Sequence, residues 1–64
     1  MNKLKELRKA KGLTQSELAE LASVSLKALQ SYEQEYRPLG GASADVVYKL
    51  AQALGTTMET LLGY

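Results

Sequence analysis

The sequence predicts an all-α fold, a compact bundle of five short helices. Three observations lead there. Apolar residues recur at helical spacing, and no stretch alternates apolar and polar residues as a half-buried strand does. A Ser or Thr stands at the head of several of these stretches, placed to accept an orphan backbone N–H. Gly12 and Gly55 follow two of them, where a helix stop favours glycine.

Taken in order, the first helix is expected from about Asn2 to Lys11, with Leu4 and Leu7 on its buried face and Gly12 as a left-handed stop. The second is expected from about Gln15 to Leu21. Thr14 can accept from the N–H of Glu17, and the Glu17 carboxylate can reach back to the N–H of Thr14. That reciprocal pair is a capping box, and Leu13 with Leu18 has the spacing of a hydrophobic staple. Leu18, Leu21 and Ala22 are expected to share the buried face, with Ala19 small enough for a close helix crossing.

The third helix is expected from about Leu26 to Gln34, capped by Ser25 and stapled by Val24 with Leu29. Its box is incomplete, because Ala28 stands where a Glu or Gln would close it. Leu29 and Tyr32 point inward at i, i+3. Glu35 to Ala42, with Pro38, Gly40 and Gly41, reads as a loop. A fourth helix is expected from about Ala44 to Leu54, its stripe made by Val47, Leu50, Ala51 and Leu54. A fifth, about Met58 to Leu62, is capped by Thr57 and carries Glu59 in its first turn. Helices this short suit steep crossings, not an up-and-down four-helix bundle.

Composition narrows the function. The 64 residues make one domain, residues 1–64. A chain of this size buries only about 60% of its unfolded surface, too little to enclose an internal cleft. It has no cysteine and no histidine, so neither a disulfide framework nor an ordinary zinc site is expected, and no cofactor. With no paired carboxylates in a cleft, an enzyme is not expected. No apolar run suggests a signal peptide or a membrane span, and a cytoplasmic protein is expected.

The formal charge is +1, but its distribution is uneven. Lys3, Lys5, Arg8, Lys9 and Lys11 face Glu6 alone in the first eleven residues, and the remainder is acidic. Basic residues near a helix C-terminus are ordinary macrodipole partners; the same cluster can attract phosphate. So weak a basic excess means a small binding surface, or two copies acting together.

The segment Thr14 to Glu33 carries the functional signal. Two amphipathic helices joined by a tight turn present the second as a rod that fits the major groove of DNA. The chain resembles the Cro and phage-repressor helix-turn-helix domains, the XRE family. Leu4, Leu7 and Arg8 carry the resemblance, followed by Gly12-Leu13-Thr14-Gln15, Glu17-Leu18-Ala19, Val24-Ser25, Leu29 and Tyr32-Glu33. It continues through Leu50-Ala51, Ala53-Leu54-Gly55 and Leu61-Leu62. It covers nearly the whole chain and implies a lambda-repressor-like DNA-binding domain.

The resemblance also implies roles. Gln15 matches a glutamine that holds a DNA phosphate and braces the recognition helix, which suits the free N–H groups of a helix start. The groove-facing positions fall on Ser25, Leu26 and Lys27, with Gln30 and Ser31 one turn on. Lys27 suits a guanine edge or a phosphate, and Gln30 suits adenine N6 and N7. Leu26 either packs on a thymine methyl or extends the core. Arg37 either grips phosphate from the loop or sits on an ordinary surface loop. Arg8 and Glu33 match a partly buried structural ion pair.

This chain departs from the family at three places. Ser23 stands where glycine is preferred in the turn. Gln34-Glu35 replaces a glycine that ends the third helix, so that helix is expected to run longer. The following loop is somewhat long.

The leading expectation is a sequence-specific regulator of transcription, a repressor, with double-stranded DNA as partner. A homodimer follows from the few base contacts one copy offers, with Met58, Leu62 and Tyr64 as the seam unless they close the chain's own core. The competing expectation is a protein-binding module of the same fold, an antitoxin or adaptor with a protein partner.

Overall fold

The computed structural model describes residues 2–64. The elements run α1 (Leu4–Ala10), α2 (Gln15–Ala22), α3 (Leu26–Glu33), a 3₁₀ turn (Leu39–Gly41), α4 (Ala44–Leu54) and α5 (Met58–Leu62). No strand occurs among the described residues. Helix α2 packs on α3 and α4, α1 packs on α3 and α5, and α4 packs on α5. The domain is nearly as wide as it is long, 22 × 21 × 19 Å, which an up-and-down bundle is not.

The helix starts follow their caps. Thr14 Oγ1 accepts from Glu17 N–H at 3.1 Å, and Glu17 Oε1 accepts from Thr14 N–H at 2.8 Å, which completes the box. Ser25, Ser43 and Thr57 cap α3, α4 and α5 through their hydroxyl oxygens. The first helix starts later than its sequence suggests. Asn2 lies outside α1, and its Oδ1 accepts the N–H of Leu4 at 3.0 Å. Its amide donates to the carbonyl of Tyr32 at 3.2 Å, tying the chain start to the end of α3.

All five described helices end alike. The C-cap residue or the one after it turns left-handed, and the N–H of the next residue reaches back five residues, as Val24 does to the Ala19 carbonyl at 3.0 Å. Glycine takes the left-handed position after α1, α4 and α5. Ser23 (φ 56°) and Glu35 (φ 60°) take it on either side of α3. The absence of glycine therefore does not lengthen α3: Tyr36 N–H still closes on the Ser31 carbonyl at 3.0 Å, and the helix stops at Glu33.

Left-handed backbone costs an L-residue about 1–2 kcal/mol, partly offset by the entropy that glycine loses on folding. Ser23→Gly together with Glu35→Gly is therefore expected to stabilise the domain by about 1 kcal/mol, raising Tm by about 4–8 °C. Thermal unfolding followed by circular dichroism checks this, and an unchanged or lower Tm contradicts the strain.

The core is a set of leucines, one from each helix and one from the loop. Leu4, Leu18, Leu29, Leu39, Leu50 and Leu61 are its largest fully buried side chains. Leu39 comes from the segment read as plain loop, where Pro38 and the 3₁₀ turn deliver it inward. Leu7, Leu13 and Val24 pack at the core's edge.

Leu21 corrects the expected face of α2, since it is 62% exposed while Leu18, Ala19 and Ala22 are buried. At about 100° per residue, the stripe centred on those three leaves Leu21 about 110° to one side. The same rotation carries Gln15 to the middle of the stripe, one turn before Leu18, so its side chain points toward α3.

Candidate nucleic-acid interface

The site is built where the start of α2, the middle of α1 and the end of α3 meet. Arg8 Nε donates to Glu33 Oε2 at 2.6 Å, and Nη2 donates to Oε1 at 3.1 Å. The fork is bidentate and out of water: the side chains are 10% and 1% exposed. Arg8 Nη1 also donates to the Leu13 carbonyl at 2.8 Å, which ties the pair to the α1–α2 turn.

Gln15 joins this pair. Its Nε2 donates to Glu33 Oε1 at 3.1 Å, and its Oε1 accepts from Gln30 Nε2 at 3.3 Å. A continuous chain of hydrogen bonds thus runs from Arg8 through Glu33 and Gln15 to Gln30, from the scaffold to the outer face of α3. Among the described residues no buried side-chain polar atom lacks a partner. Spacing alone did not reveal the chain, because its links join residues 15 to 25 positions apart.

Beyond Gln30, α3 presents a polar stripe. Lys27, Gln30, Ser31 and Gln34 recur at i, i+3, i+4, i+7, opposite the buried Leu29 and Tyr32. Gln34 was not among the groove-facing positions expected from the sequence; helical spacing from Lys27 reaches it. Ser25 stands at the head of the stripe, its Oγ accepting from Ala28 N–H at 3.1 Å while the hydroxyl hydrogen stays available. Leu26 is 39% exposed, so it does not extend the core.

Arg37 lies beside α3, its guanidinium 5.0 Å from the centroid of the Tyr32 ring. That stacking holds the cation against Tyr32 near the C-terminal end of α3, and among the described residues no hydrogen bond takes its guanidinium N–H groups. The seam residues lie elsewhere. Leu61 is buried, Met58 and Leu62 are half-buried against the core, and Tyr64 is 91% exposed. The chain's own core thus takes part of the apolar surface that the sequence offered to a partner.

Among the described residues no cluster of acidic side chains could hold a metal ion, and no helix is long and apolar enough to cross a membrane. No curated protein matches the chain. The solution structure of the N-terminal DNA-binding domain of the master biofilm regulator SinR from Bacillus subtilis is similar to it. The two superpose with a TM-score of 0.79 at 33% identity, covering 97% of this chain and 87% of that one. The helix-turn-helix family model matches residues 4–61, from the first residue of α1 into α5. The chain therefore belongs to the helix-turn-helix family of the Cro and phage-repressor (XRE) type.

Proposed function

We propose that this protein is a sequence-specific DNA-binding regulator that sets α3 in the major groove. One observation carries the reading: an outward polar stripe on α3, on a helix fastened from behind by the Arg8–Glu33–Gln15 chain. An eight-residue helix is about 12 Å long, which suits a major groove about 12 Å wide. The stripe offers a cation in Lys27 and carboxamides in Gln30 and Gln34, with Ser25 and Ser31 for phosphate or base edges and Leu26 for a thymine methyl. The free N–H groups at the start of α2, with the second amide hydrogen of Gln15, make a phosphate seat beside it. Arg37 supplies another. The similarity to the SinR DNA-binding domain supports the same use. Occupying a site is enough to block transcription, so repression is the regulatory sense proposed.

The test is the double variant Lys27→Ala/Gln30→Ala against a duplex selected from a random pool. Each bidentate base contact contributes about 1–3 kcal/mol of discrimination. The variant is expected to lose at least about 30-fold in specific affinity while it stays folded with unchanged helix content, since neither side chain is in the core and the hydrogen bond lost to Gln15 contributes only about 1 kcal/mol. Undiminished binding rejects the α3 assignment. The exposed Leu26 on the same face favours a second reading, a protein-binding module such as an antitoxin or adaptor. Failure to select any duplex with a folded protein would favour it.

The functional unit is proposed to be a homodimer, because one α3 makes few base contacts. Met58, Leu62 and Tyr64 form the proposed seam. Sedimentation of the wild type at high concentration is expected to show a dimer, and Leu62→Glu a monomer. If both run as monomers, pairing takes place on the duplex alone.

A further inference from the structure

The hydrogen-bond chain that fastens α3 has a direction, and that direction bears on which base Gln30 reads. Arg8 can only donate, and an ionised Glu33 can only accept. The carboxylate oxygen that Gln15 meets must therefore receive the amide N–H of Gln15. Gln15 then turns its oxygen toward Gln30, so Gln30 must donate to it. The orientation of both amides follows from the charges at the far end. The Gln30 side chain keeps one N–H and its Oε1, and among the described residues no hydrogen bond takes either.

One donor and one acceptor match adenine, whose major-groove edge offers N7 as acceptor and N6–H as donor. Guanine offers two acceptors, N7 and O6, and requires two donors. An unbraced glutamine amide has both N–H groups and can serve either purine. This one has a hydrogen already committed. We propose that Glu33, acting through Gln15, is a positioning residue that makes Gln30 select adenine over guanine. The inference rests on the reading that α3 faces DNA.

Glu33→Gln reverses the direction. Keeping its oxygen opposite Arg8 Nε, the shorter of the two fork contacts, puts its amide where Oε1 stood, which gives up the Arg8 Nη2 contact and faces N–H to Gln15. Gln15 then accepts and turns its own amide to Gln30, Gln30 accepts in turn, and both of its N–H groups become free. Gln15→Leu removes the link altogether and leaves the Gln30 amide unconstrained.

The experiment starts from the duplex selected from a random pool. Comparing wild type with Gln30→Ala on single-base variants of that duplex locates the base pair that Gln30 reads. If Gln30→Ala changes preference at no position, the underlying assignment of Gln30 to DNA fails. With that position in hand, wild type is expected to favour adenine over guanine about 10- to 100-fold. Glu33→Gln is expected to bring the ratio near one or invert it, and Gln15→Leu to lower it at least about fivefold. Preferences at the other positions of the duplex should stay as they were. A purely structural role weakens binding to every duplex alike and leaves the ratios untouched. Wild-type adenine preference in Gln15→Leu and in a folded Glu33→Gln overturns the proposal; if Glu33→Gln does not fold, the Gln15→Leu result decides alone.

Discussion

Arg8→Met is expected to destabilise the domain by about 3–5 kcal/mol, enough to unfold much of a 64-residue protein at room temperature. The cause is the charge left behind. Glu33 keeps a carboxylate that is 1% exposed, with Gln15 as its remaining side-chain donor. Removing both partners, as Arg8→Met/Glu33→Met, should recover most of the loss, because a neutral pair leaves no buried charge. Recovery is incomplete for a definite reason. The Leu13 carbonyl loses the Nη1 donor in either variant, at a cost of about 1 kcal/mol. Urea unfolding of the two variants and the wild type checks this. Equal losses in the single and double variants would mean that the pair's electrostatics are irrelevant and its packing is what counts.

The second large effect is on binding. Each phosphate neutralised by a cation contributes a slope of about −0.9 to log affinity against log salt. With Lys27 and Arg37 both on phosphate, a monomer should show a slope of about −1.8 and a dimer about −3.6. For the dimer, raising salt from about 50 to about 200 mM then lowers affinity about 150-fold; for a monomer the figure is about 12-fold. Arg37→Ala should take about 1.8 off the dimer slope. Fluorescence anisotropy across a salt series measures both. Binding that ignores salt would remove the phosphate contacts from the interface.

What the sequence made legible is what the backbone decides locally. The capping box at Thr14 and Glu17, the caps at Ser25 and Thr57, and the stop at Gly12 act within five residues of themselves. The bounds of α4 and α5 were legible for the same reason. Misreadings came where a residue without the usual signature took a special conformation. Glu35 is no glycine, yet it turns left-handed because the Tyr36–Ser31 hydrogen bond and the packing beyond it require the chain to turn. Leu21 and Leu39 exchanged the expected roles, because burial depends on where neighbouring helices lie. Of the network at the interface, the Arg8–Glu33 link was legible only through resemblance. The direction of the amides was not legible at all, since it emerges only when residues 8, 15, 30 and 33 are seen together.

The leucine core has a consequence for how the domain opens. Helices of 5 to 11 residues are too short to persist alone in water. Each is held by a leucine that meets the others in a single cluster, so no helix has a private core to fall back on. Backbone amides in the middle of α2, α3 and α4 should then exchange with solvent through one shared opening, at rates that converge as denaturant is added. The proposed recognition face of α3 cannot melt without the rest. If it binds DNA as proposed, it does so already formed, and the heat-capacity change on binding should reflect the contact surface itself, with no contribution from folding.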